Sequence, residues 1–191
     1  MTMTTYPTLI IRFVFILFIG LVMWMTFSYR NKEVIPPSST PLLPDAFMED
    51  VTATFIDKQG RISMKVVTPK LVHYANNDTT HFTAPTLTLY RQSPEPWVVT
   101  SLQAKAFQGM EKINFWDNVV IQHAADKKNI ATTIKTATLT VYPELQTAET
   151  SDLITMIQPN IMVKATGMQA DMTTGNIKLL SQAQGEYIPD V

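Results

Sequence analysis

The chain has 191 residues, 46% of them apolar, with a formal net charge of −1 and no cysteine. That length holds one domain with attachments, and without a basic excess to neutralise phosphates no nucleic-acid partner is expected. The missing cysteine excludes disulfides, thiol catalysis and cysteine metal sites together, and leaves the redox compartment open.

Residues 9–29 read LIIRFVFILFIGLVMWMTFSY, free of charge and proline from Phe13 to Phe27 and interrupted only by Arg12. A helix of about 20 apolar residues crosses a bilayer core. Arg12 can snorkel to one headgroup layer, and Trp24 and Tyr29 suit the other interface. A cleaved signal peptide is the competing reading, with Thr26 and Ser28 as its small pair. The run is long for such a peptide, however, and ends in the bulky Met23, Trp24, Met25 and Phe27, so an uncleaved anchor is expected. Arg12 and the terminal amine lie on one side, Arg30 and Lys32 on the other, so loop charge does not decide the orientation. The common single-anchor arrangement puts the short tail inside and the C-terminal domain on the far side of the membrane.

Residues 31–47, NKEVIPPSSTPLLPDAF, carry Pro36, Pro37, Pro41 and Pro44 and read as an extended spacer. The expected organisation is therefore a tail and transmembrane helix over 1–30, a proline-rich linker over 31–47 and a β-domain over 48–191.

From about Asp50 the hydrophobic pattern has period two. Ile62, Met64 and Val66 alternate with Ser63, Lys65 and Val67, and Leu87 and Leu89 with Thr86 and Thr88. Further on, the alternating sets are Ile113 and Phe115; Ala137, Leu139 and Val141; and Ile161 and Val163. Such alternation means strands with one buried face, and the threonine richness agrees. Turn signals stand at Lys58-Gln59-Gly60, Ala75-Asn76-Asn77-Asp78, Gln92-Ser93-Pro94, Gln108-Gly109, Tyr142-Pro143-Glu144 and Thr174-Gly175-Asn176.

TSLQA at 100–104, TIKTA at 133–137 and TGMQA at 166–170 repeat Thr-x-x-x-Ala at a spacing of 33 residues. Each is read as opening a hairpin: 98–107 returning over 112–123, 132–142 over 147–157, and 161–172 over 176–187. An earlier pair, 62–74 and 81–90, is a slipped copy. Two-strand units cannot bury an apolar face alone, so the units are expected to stack. Small alanines would let two sheets converge on one side. The fold class is all-β, stacked antiparallel hairpins in two facing sheets. If the stack stays open, unpaired edges fall near 51–56 and 177–187, the latter protected only by Lys178 and Glu186. Such an edge is a candidate for strand addition by a partner.

Chemistry-bearing constellations are missing from the sequence. His73, His81 and His123 show no ligand spacing and are read as strand-surface or rim residues; no metal site and no cofactor is expected. Glu49/Asp50 and Glu149/Asp152 read as solvated surface. With no GxSxG, phosphate loop or GxGxxG, no catalytic residue is assigned and the chain is read as not an enzyme. Met64, Met156, Met162, Met168 and Met172 are either adaptable liners for a flexible acyl ligand or plain core filling.

A single amino-terminal span, an extended stalk and repeated hairpins resemble the LptC family, the inner-membrane-anchored component of bacterial lipopolysaccharide export. HFTAP at 81–85, INFWDNVVI at 113–121 and SDLITM at 151–156 are similar to the family's F-T-x-P, L-x-G-x-V-x-V-like and E-D-L-V-T stretches. The resemblance implies an open twisted β-jellyroll whose groove holds acyl chains of lipopolysaccharide, with Phe82 as the groove-facing phenylalanine. With the alternation, this places Met64, Val66, Phe82, Leu102, Ala104, Ile113, Phe115, Val119, Ile121, Ala137, Leu139, Val141, Ile161, Val163 and Ala170 along a lipid-binding groove. Ile177, Leu179, Ser181, Ala183 and Tyr187 would form the edge that pairs with the periplasmic bridge protein. The opposite edge would pair with the transporter's permease subunits, the anchor would lie beside them, and an ATPase subunit would drive the complex. Asp117 and Gln158-Pro159 depart from the family's turn glycines, which leaves the inward faces near 117 and 158 open. The competing reading is an anchored scaffold that docks β-domains through its edges, with a filled core and no cargo.

Overall fold

The computed structural model describes residues 17–18, 21–24, 43–90, 95–127 and 129–187. The chain divides into two units, Met1–Pro41 and Leu42–Val191. Of the anchor expected over 9–29, residues 17–18 and 21–24 are described and are helical; the rest, like most of the proline-rich stretch, lies outside the described residues. No helix among the described residues is long and apolar enough to cross a membrane.

The second unit is built of eleven strands: β1 (Ala46–Ile56), β2 (Ile62–Tyr74), β3 (Thr79–Thr83), β4 (Thr86–Leu89), β5 (Trp97–Thr100), β6 (Gln103–Phe107), β7 (Lys112–His123), β8 (Thr132–Tyr142), β9 (Thr147–Gln158), β10 (Ile161–Asp171) and β11 (Asn176–Tyr187). The four hairpins read from the sequence are present, with β3/β4 and β5/β6 as strands interrupted in the middle. β1 begins at Ala46, two residues inside the stretch read as linker. All pairings are antiparallel and join the strands into one sheet, β11-β10-β9-β8-β7-β5-β4-β2, with β1 on β2 and the β3–β6 pair bridging β2 and β7.

This sheet folds along a line that crosses every long strand near its middle. The line is visible as backbone of positive φ at Asp50, Ala84, Asp117, Asn118, Gly167 and Gln182. It is equally visible as register shifts in β7/β8 between Trp116 and Val119, in β8/β9 between Thr136 and Thr140, and in β9/β10 between Thr166 and Met168. An extra residue on one strand bends it and raises the local twist. β2 carries Pro69 on the same line, where the strand leaves β4 after Val67 and takes up β3 at Lys70, so the missing N–H costs no ladder bond. Asp117 and Asn118 adopt left-handed backbone, which short polar side chains tolerate best after glycine.

The fold line makes two half-sheets. Half-sheet A holds β4, β5 and the parts of the long strands at 51–56, 62–67, 119–123, 132–136, 153–158, 161–165 and 183–187. Half-sheet B holds β3, β6 and the remaining parts. One void of about 10 Å³ is walled by Val66 and Leu87 of A and by Phe82, Ala104, Ile113 and Phe115 of B, so the two inner faces meet. They share a single apolar core.

Candidate functional site

The pairing registers define the inner surface as rows of side chains running across the strands. In A, one row runs Ala53, Val66, Leu87, Val99, Ile121, Ile134, Met156, Val163. In B, one runs Leu71, Phe82, Ala104, Phe115, Leu139 and resumes at Thr150, Met168, Leu179. A second row of B runs Ala106, Ile113, Val141, Ala148, Ala170, Ile177.

Burial along these rows falls from the centre toward β11. Met64, Val66, Phe82, Ala104, Ile113, Phe115, Val119, Ile121, Leu139, Val141 and Ala170 are buried, as an inward assignment requires. The void beside Phe82 and Phe115 holds at most about one water molecule, so between β2 and β8 the interior is filled. On β9 and β10 it is filled near the fold line, where Ile154, Ala165 and Met168 are buried, and it opens toward β11. Met156, Val163, Ile177 and Leu179 are half-buried, and an open concavity of about 560 Å³ is lined by residues of β9, β10 and β11 centred on Ala148, Ala170 and Ile177. The small side chains at the first two positions make this hollow.

Three expected groove residues depart from the pattern. Leu102 is 52% exposed because it stands on the fold line between β5 and β6, where its N–H donates to Asp117 O and its carbonyl accepts from Ala84 N. Ala137 is exposed because β8 changes its inward parity where it crosses the fold line, opposite the extra residues of β7 and β9: Thr132, Ile134 and Thr136 are buried before the line, Leu139 and Val141 after it. The Thr-x-x-x-Ala repeat thus meets the fold line at different phases, burying Ala104 and Ala170 but not Ala137. Ile161 keeps its inward parity with Val163 but is 42% exposed, since it lies at the uncovered end of the face.

Around the two positions left open, Asp117 and Asn118 both point away from the core, whereas Gln158 starts a two-residue turn at Pro159–Asn160 with Asn160 at φ 62°. Asparagine serves there in place of the glycine a type II turn favours. His123 is a correction. Expected at the surface, it is buried at 3% exposure, paired across the strands with Trp97 and Thr132. Its odd-numbered position continues the inward parity of Val119 and Ile121, a signal already present in the sequence.

Sequence reasoning also missed the hydroxyls that close the fold line. The buried Thr68 Oγ1 donates to Thr83 O at 2.7 Å, with Lys70 O at 2.9 Å. Ser101 Oγ donates to Gln103 O at 2.7 Å and Thr136 Oγ1 to Leu153 O at 3.1 Å, while Thr150 Oγ1 accepts from Asp152 N at 3.1 Å. Bending a strand frees backbone groups, and these side chains take them up.

Among the described residues, β1 and β11 each pair on one side only. Of the expected docking edge, Ile177 and Leu179 are half-buried on the inner face, and Ser181, Ala183 and Tyr187 are exposed. At the β1 end, Asp45 Oδ1 lies 2.8 Å from His73 Nδ1 and accepts from Ala75 N, and Asp78 Oδ1 lies 3.5 Å from His73 Nε2. The hydrogen bond to Asp45, with Asp78 adding to it and desolvation opposing, raises His73 above the usual histidine range. Desolvation pushes Asp45 up, but its bonds to His73 and to backbone N–H groups outweigh that and hold it below the usual carboxylate range. No group of three or more His, Asp or Glu side chains among the described residues is placed to hold a metal.

A single antiparallel sheet folded on itself, with an inner face that opens beside an unpaired edge, is an open β-jellyroll. LptH of Pseudomonas aeruginosa, described as the LptA-homologous periplasmic component of the conserved lipopolysaccharide transport device, superposes with a TM-score of 0.53 over 66% of this chain and 95% of that one, at 8% identity. A search of curated proteins finds no match. The family model for LptC, lipopolysaccharide-assembly, LptC-related, matches residues 13–188, and the chain belongs to that family. Its role is in lipopolysaccharide transport, and the family is one of transport components rather than enzymes.

Proposed function

We propose that the chain is a single-pass inner-membrane protein whose periplasmic jellyroll receives lipopolysaccharide and passes it to a bridge protein of the same fold. The observation that carries this reading is the apolar face that opens toward β11 and runs directly into its unpaired edge. Acyl chains laid on the half-buried Met156, Val163, Leu179 and Ile177 would leave water at roughly 0.8 kcal/mol per buried CH₂. A partner strand added at β11 would extend the same face, so cargo could move on without crossing water. The ends of the chain suit this division: β11 docks the bridge protein, and β1 docks the permease subunits of an ATP-driven exporter, beside which the anchor over 9–29 lies.

The filled interior between β2 and β8 favours a second reading, a scaffold that joins β-domains and carries no lipid. Photocrosslinking in cells separates the two. Probes at Val163 and Leu179, with the outward Lys135 and Lys164 as controls, are expected to give lipopolysaccharide adducts at the first pair alone. Folded variants with no adduct at any of the four sites would leave the scaffold. Adducts at Phe115 in addition would mean that the half-sheets part to admit cargo more deeply.

A further inference from the structure

The inner rows given above are apolar along almost their whole length. Another row, at the free end of half-sheet A, starts with Phe55, Met64, Leu89 and Trp97, then continues through His123 and Thr132. Gln158 carries it on, donating from Nε2 to Thr132 Oγ1 at 2.9 Å, and Ile161 and Tyr187 end it at the open side. Its middle is therefore a polar strip inside an apolar interior.

His123 is the unexplained member. Its side chain is 1% exposed, and neither ring nitrogen has a hydrogen-bond partner among the described residues. Asp126 Oδ2 stands 3.7 Å away, beyond hydrogen-bond range, while the Asp126 carboxyl group accepts from Asn129 N and Nδ2. The Trp97 ring, tilted by 41° with centroids 4.7 Å apart, sets the imidazole plane without satisfying it. Buried polar atoms are nearly always paired, and an aromatic hydrocarbon would fill this place at less cost.

We propose that His123 and the Thr132–Gln158 pair form a polar subsite for the junction of an amphiphile, the amide or ester carbonyls and hydroxyls from which its acyl chains hang. The chains themselves then lie on the adjoining apolar rows. A neutral hydrogen-bonding group fits better than a phosphate, because the Asp126 carboxyl group is close by. Entry runs along the row from the exposed Ile161 and Tyr187. It parts the contact between the free ends of the two half-sheets, where Asn129 packs so closely on Gly175 that a Cβ there would stand 2.7 Å from Asn129 Oδ1. The subsite rests on the carrier reading above.

The test uses the full chain in nanodiscs, titrated with lipopolysaccharide and with a fluorescent hexadecyl probe that has no carbonyl or hydroxyl group. His123→Leu is expected to weaken lipopolysaccharide about tenfold, the effect of one buried hydrogen bond, and to leave the alkyl probe unchanged. His123→Gln, which keeps a hydrogen-bonding group, should stay near wild type. If His123→Leu does not fold, Thr132→Val with Gln158→Leu removes the other half of the strip and should discriminate in the same way. Equal binding of lipopolysaccharide by wild type and the apolar variant overturns the subsite and leaves the carrier standing, as does equal loss of both ligands, which marks a packing role. Wild-type protein that binds neither ligand overturns the carrier and the subsite together.

Discussion

Phe115 and Leu102 read alike as apolar groove residues, yet they face opposite environments. Phe115 is enclosed by both half-sheets, so Phe115→Ala should lower the unfolding free energy in urea by about 3–5 kcal/mol, the usual cost of emptying a buried aromatic site. Leu102→Ala, on the exposed fold line, should change it by no more than about 0.5 kcal/mol. His73 gives a pH-dependent counterpart. Its folded pKa is raised, so its contribution is fully present below the ordinary value of 6.5 and is lost as pH rises through the folded pKa. Asp45, held below 3.8, contributes above that value and loses its contribution as pH falls through its folded pKa. The tie between the start of β1 and the end of β2 should thus be firmest in mild acid and loosen toward alkaline pH. Amide exchange at Ala75, compared with His73→Gln at each pH, checks this: the protection difference should shrink as pH rises.

The element that makes the fold is the bend. Eleven-residue strands such as β8 and β10 are long enough to cross both half-sheets, and each buries opposite parities on its two arms because its neighbours β7, β9 and β11 carry an extra residue at the bend. At Asn118, where φ is 56°, a β-branched side chain meets the carbonyl clash of left-handed backbone. Asn118→Val should therefore cost about 1–2 kcal/mol, while Asn118→Gly should be neutral or stabilising. Thermal unfolding of the two variants side by side is the check. A Val variant as stable as wild type would mean that the bend is held by the neighbouring strands and not by this residue.

At the scale of the whole molecule, direction becomes predictable. From β1 to β11 the sheet takes eight antiparallel steps, through β2, β4, β5, β7, β8, β9 and β10, so the two edge strands run the same way. A partner of the same fold that continues the sheet at β11 through its own first strand must therefore pair in parallel. The chain has no cysteine, so introduced ones have no background. With Ser181→Cys and Gln184→Cys tested one at a time, the partner position that crosslinks best should move toward the partner's carboxy terminus as the site moves from 181 to 184. Movement the other way would mean antiparallel docking and a different join.

Much of this architecture was legible in the sequence because alternation is a local signal: each strand's period-two pattern depends only on neighbours along the chain. The four hairpins, the two free edges and the inward assignment of Phe82, Phe115, Leu139 and Val141 came from it. What alternation cannot register is a change of parity within a strand, since the extra residue at the bend can stand on a neighbouring strand. Hence Ala137 was read inward and Leu102 was placed in the groove. His123 reads as a surface residue for another reason: its type suggests a rim position, while its place in the series 119, 121, 123 points inward. Tertiary structure alone decided where the sheet folds, that the face is filled between β2 and β8 and opens toward β11, and that a polar strip lies within it. Each of these depends on which strands stand opposite one another, and that is a relation between distant residues that no single segment of the chain carries.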